Sequence, residues 1–143
     1  MKLLLTTIAI VWTALIASPK TDTYDLTIQI DGIRNNNGYI MVALHDGSSD
    51  FPDSDPFMAV EGEAENGSIE LVIENLPEGE YAIALMHDEN GNGEFDSTEY
   101  GMPLEGYGFS NNPEPQMGPA TWSEASFDVE DDQDLYIELI YLN

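Results

Sequence analysis

The chain has 143 residues, with 28 Asp and Glu against three Lys and Arg, a formal net charge of −25 and no cysteine. Such a surface repels nucleic acid and anionic membranes and favours cations or basic partners. Disulfides and cysteine-based metal sites are excluded, and self-repulsion on this scale calls for screening by salt, as in a salty habitat, or by bound cations.

Residues 1–18 read as a signal peptide: Lys2 gives a basic start, Leu3 to Ala17 an apolar stretch of export length, and cleavage is expected after Ala17 or Ser18. An uncleaved N-terminal anchor is the rival reading, although Thr6, Thr7 and Thr13 break the apolar run. The expected location is periplasmic or secreted, with no membrane contact after cleavage. What remains, 22–143, is one domain by length and can bury about two thirds of its unfolded surface.

Period-two patterning dominates this remainder. Tyr24 to Ile33 alternates Leu26, Ile28 and Ile30 with polar residues, and Asn35, Asn36, Asn37 and Gly38 turn the chain into a second run ending at His45. Asp46 to Pro56 is loop, Phe57 to Glu63 a weak strand, and Ser68 to Glu74 a clear one. Leu76 to Gly79 turns into a strand over Glu80 to His87. A long loop, 88–120, follows, rich in Gly and Pro. Ser123 to Glu130 and Leu135 to Leu142 are the last expected strands. About seven short strands predict an all-β, antiparallel two-sheet sandwich, with a small barrel as the alternative.

The sharpest motif opens the long loop. Asp88, Asn90, Asn92, Glu94, Asp96 and Glu99 fit the twelve-residue calcium-loop pattern, with Gly93 at the sharp bend. Calcium takes six to eight oxygens, so a short loop has to supply one at every second residue. Asp88, Asn90 and Asn92 supply side-chain oxygens and Glu94 its carbonyl. Asp96 binds directly or through water, and Glu99 closes the shell. A strand enters this loop where an EF-hand has a helix, and Gly101 and Pro103 oppose an exiting one, so the role of Glu99 depends on a feature the sequence lacks. With three acidic ligands the expected Kd is roughly 10⁻⁴ to 10⁻³ M. A solvated Asn/Gly turn is the plain alternative.

Other chemistry is thin. His45-Asp46 and His87-Asp88 each end a strand and would share one edge if those strands were parallel neighbours. On that basis a metal-dependent hydrolase using His45, His87 and Asp88 is the least favoured reading; with no nucleophile elbow or phosphate loop, no enzyme is expected. Tyr100, Tyr107, Phe109 and Trp122 form either a platform for a glycan or protein ligand at 100–122, as in a carbohydrate-binding or carrier module, or a pin folding the loop onto the sandwich; the pin is favoured. The leading expectation is an exported Ca²⁺-binding module of structural or ligand-binding role.

The run from His87 to Asp96, followed by Gly101-Met102-Pro103-Leu104-Glu105-Gly106-Tyr107-Gly108-Phe109-Ser110-Asn111-Asn112, resembles the bacterial domain of unknown function family 2141. Leu76 to Ala82 and Trp122 to Phe127 are similar as well. The resemblance implies exported bacterial proteins with an immunoglobulin- or transthyretin-like sandwich, and no particular activity.

Overall fold

In the computed structural model, residues 22–47 and 50–142 are described; the signal-peptide reading of 1–18 lies outside them. The strands in chain order are β1 (Thr23–Ile33), β2 (Tyr39–His45), β3 (Met58–Glu63), β4 (Gly67–Pro77), β5 (Gly79–Asp88), β6 (Gly106–Phe109), β7 (Phe127–Val129) and β8 (Gln133–Glu138), with one helical turn, α1 (Trp122–Ala125), before β7. They form two sheets, β4-β1-β8 and β3-β2-β5-β6, with β7 also pairing β5. The architecture is all-β and sandwich-like, as expected. Among the described residues no helix is long and apolar enough to cross a membrane.

Alternation sets the core. Leu26, Ile28 and Ile30 of β1 meet Ile40, Val42 and Leu44 of β2 and Ile83 and Leu85 of β5, all within one buried cluster. Burial of so many branched side chains is the main stabilising term. Gly62 lets the sheets approach, since a Cβ there would meet Leu71 Cδ2 at 2.8 Å.

Three expectations need correction. The first sheet is mixed: β1 pairs β4 antiparallel but β8 parallel, Leu26 opposite Gln133 through Asp31 opposite Glu138. The expected strand from Ser123 is instead α1 and then β7, because Thr121 and Glu124 form a capping box: Thr121 N–H and Oγ1–H both donate to Glu124 Oε2, at 2.8 and 2.7 Å. The long connection contains the strand β6. Its sequence, Gly-Tyr-Gly-Phe, has poor strand propensity. It forms because a Cβ on Gly106 would meet the Tyr141 ring at 2.4 Å, and one on Gly108 would meet Ile137 Cγ2 at 2.9 Å. Packing overrides propensity there.

β6 and β7 share one edge of β5, pairing at Ala84–His87 and Gly79–Tyr81. Ser110 splices the gap between them. Its N–H donates to Ile83 O at 3.0 Å, its Oγ accepts from Ile83 N at 2.9 Å, and its hydroxyl donates to Ala125 O. Asn111 Nδ2 donates to Glu124 O and Ser126 O, while the Asn112 side chain pairs with the free edge of β8 through Tyr136 O and Glu138 N. The Ser-Asn-Asn segment thus joins three elements.

Candidate functional site

The acidic loop leaves β5 at Asp88, whose side chain is 1% exposed. A buried carboxylate requires donors. Gly91 N and Asn92 N donate to its Oδ1 at 2.8 and 3.2 Å, and Gly93 N donates to Oδ2 at 2.8 Å. Gly91 and Gly93 sit at φ of +71° and +77°, the conformation that aims these amides inward. Asn90 Oδ1 accepts from Asn92 N and Asn92 Oδ1 from Glu94 N, at 2.9 and 2.8 Å. Both Asn side-chain amides donate to Asp96 Oδ2. Asp88, Asn90, Asn92 and Asp96 are therefore one hydrogen-bonded cluster.

Glu99 lies elsewhere. Ser97 bridges Pro103, Thr98 N donates to Met102 O and Leu104 N to Asp96 O, both at 2.8–2.9 Å, so 96–104 is a small hairpin with Glu99 and Tyr100 at its tip. Among the described residues, no three of His, Cys, Asp and Glu converge as a metal-holding group. The cluster offers two carboxylates, two amides and backbone oxygens, a hard-donor set.

Two parts of the site carry no motif signal. Glu105, 4% exposed, accepts Glu89 N on Oε1 and Asp96 N on Oε2, both at 3.1 Å. It clamps the two ends of the loop. Its place immediately before Gly-Tyr-Gly-Phe is the only signal that could have found it. The other part is Arg34, the one basic residue among those described. It grips Glu89 with Nε at 2.9 Å and with Nη2, and its guanidinium carbon lies 4.5 Å from the centre of the Tyr141 ring. Asn35 Nδ2 adds a donor to Glu89. Beneath them, His87 Nε2 is 2.7 Å from Asn37 O and Nδ1 2.7 Å from Tyr141 Oη. A carbonyl can only accept, so Nε2 carries a proton directed at Asn37 O, while Nδ1 pairs with the tyrosine hydroxyl.

The Arg34 guanidinium holds the Glu89 carboxyl down at about 2, against burial, with Asn35 assisting. This folded-state value lies below the ordinary 4.5, so the contribution is full above about pH 4.5 and is lost as pH falls toward 2. Arg34→Met should lower stability by about 1–3 kcal/mol at pH 7, after allowance for solvent screening, and by progressively less below pH 4.5. Urea titrations of both proteins from pH 7 to 2.5 measure the gap. A gap independent of pH would show that the loss is packing alone.

The two His-Asp pairs are separated. β2 and β5 are neighbours but antiparallel, with Ile40 opposite His87 and His45 opposite Ala82. The histidines stand five residues of register apart, about 17 Å. His45 is covered by the loop after β2: Nδ1 lies 3.2 Å from Ser54 Oγ, the ring centre 5.1 Å from that of Phe51, and Nε2 is buried without a partner. Burial pushes its pKa down, Asp46 opposing. The aromatic residues likewise do not form one platform. Tyr100 is 86% exposed at the hairpin tip. Phe95, Tyr107 and Phe109 stack edge to face in series, and Phe51 joins Phe109 to Trp122 in the same way. That series pins the connection to the outer face of the second sheet.

A family model described as an uncharacterized protein conserved in bacteria, DUF2141, matches residues 28–136. No curated protein and no solved structure matches the chain.

Proposed function

The chain belongs to the DUF2141 family, and we propose that it is an exported β-sandwich module, of the immunoglobulin- or transthyretin-like type, whose 88–96 loop binds Ca²⁺ and is stiffened by it. Its role is structural or ligand-presenting, without catalysis. The observation that carries this reading is the cluster itself: Asp96 receives the Asn90 and Asn92 amides beside a buried Asp88. In a chain of net charge −25, those two amide donors are weak compensation for a carboxylate. A divalent cation is stronger, and the oxygens of Asp88, Asn90, Asn92 and Asp96 with the Glu94 carbonyl suit one. Two carboxylates place the affinity at the weak end of the extracellular range, roughly 10⁻³ M. Periplasmic or secreted placement is supported by the composition of 1–18 and is consistent with Ca²⁺ at such concentrations.

Calorimetric titration of the processed protein at fixed ionic strength tests this. One saturable site is expected, with about 1–2 kcal/mol of stabilisation at 10 mM Ca²⁺. Asp88→Ala should weaken binding more than Asn90→Ala, since it removes a charged ligand. Because Asp88 also anchors three backbone amides, Asp96→Asn is the cleaner variant and should cost about tenfold in affinity. Glu99→Gln should change it less than twofold. Stabilisation by Mg²⁺ or Na⁺ at matched ionic strength equal to that by Ca²⁺ would reduce the effect to screening.

A further inference from the structure

A groove of about 360 Å³ opens beside β6, bounded by the 112–120 segment and by the chain from Glu138 to Ile140. Its volume falls in the range of small-ligand sites. Tyr107 and Phe109 line it with aromatic surface, and its only charged lining residues are Glu114, Glu124 and Glu138. The walls are fixed from outside. Asn112 is tied to β8 at Tyr136 O and Glu138 N, at 2.9 and 2.8 Å. Gln116 Nε2 donates to Glu124 Oε1 at 2.7 Å, and the other oxygen of Glu124 is held by Thr121. These bonds keep the Glu124 carboxyl below its ordinary range, so it stays ionised.

We propose that this groove binds a compact organic cation, an alkylammonium or quaternary ammonium group. Aromatic rings attract a poorly hydrated cation through the ring quadrupole, and the lining carboxylates, Glu124 held in place among them, supply the counter-charge. A neutral sugar uses the rings but leaves three carboxylates uncompensated. A metal ion uses the carboxylates but gains nothing from apolar walls. An organic cation satisfies both, and no cation of the described chain competes, since Arg34 is committed to Glu89. This site is separate from the Ca²⁺ loop, and neither reading depends on the other.

The test must separate a site from the counter-ion atmosphere of a highly acidic protein. Tetramethylammonium is titrated into the processed protein in about 150 mM NaCl, with backbone and aromatic NMR shifts as the readout. Saturable shifts confined to Tyr107, Phe109 and residues 112–120 are expected. Tert-butanol, a neutral molecule of similar size, should shift the same signals at least about fivefold more weakly. Tyr107→Leu and Glu138→Gln should each weaken tetramethylammonium at least about fivefold, with melting temperatures recorded to confirm folding. The double variant Glu63→Gln/Glu65→Gln, at the β3 edge of the same sheet and remote from the groove, should change it less than twofold. Equal binding of tert-butanol, tighter binding of a methyl glycoside, or equal weakening by the β3 variant would each overturn the proposal.

Discussion

Gly38→Ala is expected to destabilise the protein by about 4 kcal/mol or more, among the largest effects of any single methyl group in this fold. A Cβ at Gly38 would fall 1.8 Å from Asp88 O and 2.9 Å from Asp88 C. Both are backbone atoms, so no side-chain rotation relieves the contact. The residue also sits at φ +67°, where an L side chain is strained. The Asn35–Gly38 turn and the start of the acidic loop would have to separate, and with them the contacts of Asn35 to Glu89 and His87 to Asn37. Denaturant unfolding measures the loss, and Ca²⁺ titration of whatever remains folded should show weakened binding. Gly91→Ala is the control: it too has positive φ, at +71°, but nothing lies within 4 Å of its added Cβ. It should cost only about 1–2 kcal/mol. Equal losses would place the effect in the dihedral strain and not in the contact.

Glu105→Gln is the second large effect, expected at about 2–3 kcal/mol. The substitution preserves shape. It replaces one of two acceptor oxygens with an NH₂ group, and each oxygen serves a different backbone amide, Glu89 N or Asp96 N. Whichever way the amide turns, a donor faces a donor in a site 4% exposed. One end of the loop is then released. Hydrogen exchange should quicken at Glu89 or Asp96 while the sheet amides of β1 and β2 keep their protection. Uniform loss of protection across the sheets would assign Glu105 to global stability, not to the loop. Ca²⁺ affinity should fall along with the local order, because a looser loop must be ordered by the ion.

Hydrophobic patterning was enough to read the four longest strands. β1 and β4 alternate between core and solvent, so a period of two survives in their composition, while β2 and the largely buried β5 were legible as apolar runs; the bounds of all four lie close to those expected. Local turn chemistry likewise located the Asp88–Asp96 loop, since Asn and Gly there do their work through neighbours two to five residues away. What stayed hidden depends on distant partners. β6 exists because Tyr141 and Ile137 leave no room for a Cβ on Gly106 and Gly108, a fact carried by residues far along the chain. Glu105 looks like one acid among 28 until the fold lays it beneath the loop. The ladder of Asp31 with Glu138 could not be inferred either, because period-two patterning does not say which strands pair or in which direction. The turn at Trp122 was different: Thr-Trp-Ser-Glu is a legible capping box, obscured by the aromatic and apolar residues around it.

β1 begins the described chain, yet it is the middle strand of its sheet, and its parallel partner is the last strand made. Synthesis runs from the N-terminus, so the backbone edge of Leu26 to Asp31 waits for residues 133–138 before it can be filled. The first and last described strands are thus paired side by side, and completion of this sheet is a late, long-range event in folding.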